Sequence, residues 1–71
     1  MKRKDLVDLI AAAARERGKV WEFVREGGAH EIWALDGRRI EIPRHREIRE
    51  PLARKILKTT ERELGPRWWR R

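Results

Sequence analysis

The chain has no cysteine, serine, tyrosine, asparagine or glutamine, and only two histidines, one phenylalanine and one methionine among its 71 residues. Without cysteine there is no disulfide framework, which fits a reducing compartment and a cytoplasmic protein. Without serine, cysteine or tyrosine, the side-chain nucleophiles shrink to Thr59 and Thr60, whose helical spacing beside Leu57 fits packing better than catalysis. Two histidines, with no acids at a familiar ligand spacing, make a poor metal site, so neither metal nor cofactor is expected. There is no phosphate loop and no dinucleotide fingerprint, and Gly27-Gly28 alone reads as a turn. The longest apolar run, Leu9 to Ala14, falls far short of the roughly 20 residues that span a bilayer. No apolar signal core follows the basic start Met1-Lys2-Arg3-Lys4, so no membrane partner is expected.

Charge is what the chain has in abundance. Charged residues make up 44% of it, against about 25% in typical domains. Arginine outnumbers lysine 14 to 5, a composition that fits a thermophile or a GC-rich genome. The net charge of +7 is uneven: residues 1–19 carry +3, residues 20–43 carry −2 and residues 44–71 carry +6. A sequence pI near 11 with clustered arginine is the footprint of a phosphate-binding surface, although a solvated charged surface has the same composition.

The residue pattern predicts a helix, three strands and a helix. Leu6, Leu9, Ile10 and Ala13 recur at helical spacing, with Asp5 as N-cap, Asp8 in the first turn and Gly18 at the end. Val20 to Arg25 reads as a strand, Gly27-Gly28 as a turn, and His30 to Leu35 as the returning strand. Asp36-Gly37 is a strong hairpin signal before a third strand, Arg38 to Pro43. A two-residue loop there sets Trp33 opposite Ile40, whereas a bulged three-residue loop sets Ile32 opposite Ile40, and the sequence leaves both open. The last helix opens near Glu50 with Pro51 in first position. It carries Leu52, Ile56, Leu57, Thr60 and Leu64 on its apolar stripe and stops at Gly65-Pro66, with Arg54, Lys55, Lys58 and Arg62 toward solvent. Tight hairpins imply an antiparallel sheet, and two amphipathic helices imply an α+β, αβββα two-layer sandwich with both helices on one face. Residues 1–65 form the single domain, and residues 66–71 are a basic, tryptophan-rich tail with no evident partner.

Among these residues, chemistry near neutral pH falls to histidine, the only side chain whose ordinary pKa, about 6.5, lies there. RNA cleavage demands little of a protein, because the 2′-hydroxyl supplies the nucleophile. One histidine can move a proton, and Arg25, Arg44 or Lys19 can offset the charge that develops on phosphorus. Taken on context alone, the favoured reading of His30 is an exposed or hydrogen-bonded strand-end residue. His45, in a loop after Pro43-Arg44, reads as a hydrogen-bonding or phosphate-contacting group. Trp21 and Trp33 fit base stacking, a protein interface or the core.

The chain resembles the HicA (YcfA-like) mRNA interferases, the toxin half of type II toxin–antitoxin pairs. The resemblance is carried by Lys2 to Leu9, Trp21-Glu22-Phe23-Val24-Arg25, Gly27-Gly28-Ala29-His30-Glu31-Ile32-Trp33, Ile42-Pro43-Arg44-His45 and Leu52 to Leu57, over about residues 2–60. It implies a double-stranded-RNA-binding-domain-like αβββα fold and a metal-independent endoribonuclease whose catalytic histidine is His30. It also implies mRNA as substrate, a HicB-like antitoxin as partner, and Lys2, Arg25, Gly28, Arg44 and His45 as residues that meet RNA. Ala29 stands where the family commonly has a small polar residue, and the Trp68-Trp69 tail extends past the family's usual end. Two other classes are compatible with the same residues: a non-catalytic RNA-binding module of this fold, and a protein-interaction subunit whose basic surface meets only an antitoxin.

Overall fold

The computed structural model describes residues 1–70, and Arg71, the last residue of the expected tail, lies outside them. The elements are α1 (Arg3–Glu16), β1 (Trp21–Gly27), β2 (His30–Leu35), β3 (Arg38–Pro43) and α2 (Glu50–Leu64). The strands form one antiparallel sheet in the order β1-β2-β3. This is the αβββα order that the hydrophobic pattern predicts.

Two turns set the register. Asp36 and Gly37 both have positive φ, 50° and 83°, as a type I′ turn requires, and aspartate is among the few residues that tolerate this region. The two-residue loop therefore forms, and Trp33 pairs with Ile40. At the other end the loop is Gly28-Ala29, with φ of 64° at Gly28. The turn falls one residue later than expected, because Gly27 stays in β1 and pairs with His30. A bulge between Phe23 and Arg25 leaves Val24 out of the pairing.

Directly paired residues share a sheet face. Trp21, Phe23, Glu31, Trp33, Leu35, Ile40 and Ile42 therefore lie on one side. Leu35, Ile40 and Ile42 pack there with Leu6 and Ile10 of α1 and Ile56, Leu57 and Leu64 of α2 in one core. Each such side chain, fully buried, stabilises the fold by roughly 1.5–3 kcal/mol. Trp21 and Trp33 stack on each other at 4.7 Å, with Phe23 edge-on to Trp33 at 5.5 Å, so they make an aromatic flank to this core. His30, Ile32, Ala34, Arg39, Glu41 and Pro43 share the opposite side, which no helix among the described residues covers, although α2 borders it along the edge of β3.

The ends of the helices differ from expectation in instructive ways. Asp5 does not cap α1: the helix begins at Arg3, its N-cap is Lys2, and no side chain caps it. Tertiary pairing satisfies one of its free donors instead, since the Arg3 N–H donates to the Arg46 carbonyl at 2.9 Å; beside it the Ile48 N–H donates to the Met1 carbonyl at 2.8 Å. Asp5 sits in the first turn instead, and Asp8 lies a turn further on, paired with Lys4. Pro51 is second rather than first in α2. Leu52 leaves the predicted stripe and stays 39% exposed, and Ala53 takes its place in the core.

The C-terminal tryptophans pack back on the helices. The Trp68 indole N–H donates to Thr60 Oγ1 at 3.0 Å, and that fully buried hydroxyl donates to the Leu57 carbonyl at 2.7 Å. Both hydroxyl roles are thus filled, which is what burial of a polar group demands. The Trp69 N–H donates to Glu61 Oε2 at 2.9 Å, and both rings lie beside Leu9, Ala12 and Ala13 of α1. No helix among the described residues is long and apolar enough to cross a membrane.

Arg38 clamps α2 to the sheet. Its guanidinium donates two hydrogen bonds to Glu63, at 2.7 and 2.6 Å, and another to the Thr59 carbonyl. These bonds hold the Glu63 carboxyl below its ordinary pKa.

Two outcomes are expected. Trp68→Ala destabilises the fold by about 2–3 kcal/mol in urea denaturation, because it opens a cavity and strands Thr60; a loss below about 0.5 kcal/mol contradicts a structural tail. Glu63→Gln costs about 1 kcal/mol at neutral pH. A carboxylate with a lowered folded pKa stabilises above its unfolded value and ceases to do so as pH falls through the folded one. The gap between wild type and Glu63→Gln therefore closes in acid, below the ordinary value of 4.5, as thermal melts across that range will show.

Candidate nucleic-acid interface and active site

His30 pairs with Gly27 on one side and Pro43 on the other, so it opens β2 at the end of the sheet where the Gly28-Ala29 turn lies. The ladder runs one step past Pro43, with the Arg44 N–H donating to the Ala29 carbonyl at 3.0 Å. That step gathers Gly28, His30, Arg44 and, one residue on, His45. Lys2 joins them through an antiparallel bridge to Glu47. Arg25 lies on the open face beside them: a Cβ placed on Gly27 would sit 3.1 Å from its guanidinium and 3.3 Å from Ile32. Lys2, Arg25, Gly28, His30, Arg44 and His45, six of the candidates named from the sequence, thus come to one end of the sheet. Lys19 does not. It lies at the opposite end, 3.7 Å from Asp36, because it precedes β1 rather than following it.

His30 is half-buried and lines a groove of about 260 Å³ between β3 and α2, with Ile40, Glu41, Pro43, Leu52, Lys55, Ile56 and Thr59. Its neighbours are committed elsewhere. Glu31 accepts from Arg3 and, at 3.0 Å, from the Trp33 indole. Arg44 pairs with Glu26 at 3.1 Å and donates to the Gly28 carbonyl at 3.2 Å, which pins the turn. Among the described residues the imidazole has no hydrogen-bond partner, so both ring nitrogens can meet a ligand. His45 is exposed in the loop after β3.

A second concavity, of about 420 Å³, is lined by Lys2, Arg3, Lys4, Arg44 and Arg46, with no carboxylate in its wall. Its charges are unequal. Arg3 is paired with Glu31, Lys4 with Asp8 and Arg44 with Glu26. Lys2 and Arg46 have no acidic partner among the described residues, and so carry the charge with which the cleft attracts anions. Arg46 and Lys4 were not singled out from the sequence. Lys4 shows only in the basic start of the chain, and Arg46 comes into place only through its carbonyl bond to Arg3. Trp21 and Trp33, stacked on each other beneath α1, leave no ring face between them for a base.

The arrangement supplies an imidazole for proton transfer and nearby cations for phosphate charge. Among the described residues no three His, Asp or Glu side chains group to hold a metal ion.

No family model, curated protein or solved structure matches this chain.

A single-stranded oligonucleotide probes the cleft directly. Lys2→Ala and Arg46→Ala are each expected to reduce the slope of log affinity against log salt by about 0.7, the value for one phosphate contact on a single strand. Arg62→Ala, on the exposed side of α2, is expected to leave that slope unchanged; equal slopes in all three variants would place the anion elsewhere.

Proposed function

We propose that this chain is a metal-independent endoribonuclease of the HicA mRNA interferase type, with His30 as its proton-transfer residue. In this reading the protein is cytoplasmic and a HicB-like antitoxin neutralises it. The observation that carries the reading is the position of His30: an imidazole without a hydrogen-bond partner among the described residues, at the end of the sheet where the Gly28-Ala29 turn lies and where Arg44 lines a cationic cleft. The αβββα order, which the resemblance to that family implies, supports it further.

The chemistry needs no protein nucleophile. The substrate 2′-hydroxyl attacks the adjacent phosphorus, and its proton passes to a base. The bond to the 5′-oxygen breaks, and that oxygen takes up a proton. His30 performs one of these transfers and solvent the other, leaving a 2′,3′-cyclic phosphate and a 5′-hydroxyl. Arg25, beside Gly27 on the same face, offsets charge on the phosphorane, and such electrostatic help acts mainly in the transition state. Gly28 keeps the backbone of the turn narrow, and Arg44 holds it in place. His45 and Lys2 meet neighbouring phosphates. A net charge of +7 also favours an acidic antitoxin through long-range attraction.

The test is cleavage of a defined RNA in EDTA by the wild type and by His30→Ala, with the new ends analysed. The expected result is cyclic-phosphate ends and a loss of roughly 10²–10⁴-fold in rate in the variant. Equal rates would remove His30 from the mechanism. Salt-sensitive RNA binding without cleavage by either protein would favour the non-catalytic RNA-binding module.

A further inference from the structure

We infer that the groove between the outer edge of β3 and α2 is a nucleobase subsite, which receives the base of the nucleotide whose sugar and phosphate lie at His30. The inference rests on the ribonuclease reading for its choice of ligand, but its structural argument is separate.

The first observation is the edge of β3. The Arg44 N–H to Ala29 carbonyl bond marks those residues as a hydrogen-bonded pair. Such pairs alternate along an antiparallel ladder. Ile42 and Ile40 therefore spend their backbone groups on β2, while Glu41 turns its N–H and C=O outward. One residue thus offers a donor and an acceptor side by side, at the groove. Every nucleobase carries a donor next to an acceptor on its pairing edge, so a fixed main-chain pair can read one.

The second observation is the opposing wall. Leu52, Lys55, Ile56 and Thr59 line the groove at helical spacing i, i+3, i+4 and i+7, so one stripe of α2 runs along the strand. Leu52 remains 39% exposed beside buried Pro43. Leu52 therefore offers most of the apolar surface for the flat side of a ring. Lys55 has no acidic partner among the described residues, and can meet a base carbonyl or lie against a ring face. The Glu41 carboxylate, which would repel an approaching phosphate, is offset by Arg39 at 3.0 Å.

Size and shape choose the occupant. At about 260 Å³, the groove lies just below the roughly 300–1,000 Å³ of sites for drug-sized ligands, which leaves room for one nucleobase. A peptide strand added to this edge would need a row of outward N–H groups, and Pro43 has none to give. His30, at the rim, ties the groove to the reacting end of the sheet.

The test is an NMR titration of the full chain with the four nucleoside 3′-monophosphates, with ribose 5-phosphate as the baseless control. The expected result is that nucleotides move the Glu41 amide and the Leu52 methyls while ribose phosphate does not. One base is expected to bind about tenfold more tightly than the weakest, the discrimination a bidentate contact supplies. Leu52→Trp, at an exposed position, fills the groove and abolishes the base-dependent shifts; its circular dichroism checks that it is folded. Thr59→Val provides a second, milder change to the same wall, and is expected to alter the ranking of the bases. Groove signals that ignore all four nucleotides, or follow ribose phosphate equally, overturn the subsite. If His30→Ala keeps the shifts while the wild type cleaves no RNA, the ribonuclease reading falls and the base site stands.

Discussion

The two-residue turn at Asp36-Gly37 is the constraint on which the rest of the molecule depends. Side chains alternate across a strand, so slipping β3 by one residue against β2 would turn its apolar set to the wrong face. The turn excludes that slip by placing two residues at positive φ, one of them glycine. Asp36 also reaches across to the first hairpin: its side chain accepts from the Val20 N–H at 2.8 Å, and its own N–H donates to the Val20 carbonyl at 2.8 Å. All three strands are thereby indexed from one corner. At the far end of the sheet, the same indexing puts His30 opposite Pro43, on the uncovered side.

With one sheet face covered by helices, the other must be made compatible with water by side chains alone. Ile32 and Ala34 are buried there without belonging to the helix-side core. The long arms around them do the covering: Arg25 reaches toward Ile32, and Arg39 and Glu41 pair on the neighbouring strand. Arginine stems bury apolar surface while keeping the charged head wet. The high charge content is therefore partly structural, since the arms on this face also shield the sheet.

The element order was legible because each level of the sequence agreed: helical spacing in α1 and α2, hairpin chemistry at Asp36-Gly37, and a stop at Gly65. What escaped was set by contacts distant in sequence. Asp5 had the right chemistry for a cap, but the segment around Arg46 supplies the partner, 43 residues away. The tail looked partnerless because a Trp–Thr hydrogen bond leaves no pattern in the sequence. At the candidate site, His30 and Arg44 stood out by residue type, whereas Gly28 and Lys2 entered only through the resemblance. Arg46 and the α2 wall of the groove did neither, since only the path of the loop after β3 and the docking angle of α2 bring them there. Lys19 was misplaced for the opposite reason: nearness in sequence to β1 put it at the wrong end of that strand.

The stack of Trp21 on Trp33 has a consequence of another kind. The rings lie 4.7 Å apart and 11° from parallel, on two strands joined by the Gly28-Ala29 turn. Indoles held face to face at this spacing couple their electronic transitions, and the coupling vanishes when the strands part. Trp68 and Trp69 sit apart from this pair, against the helices and beneath arginine side chains. The molecule therefore carries two separate groups of tryptophans, one placed to report closure of the first hairpin and the other docking of the tail.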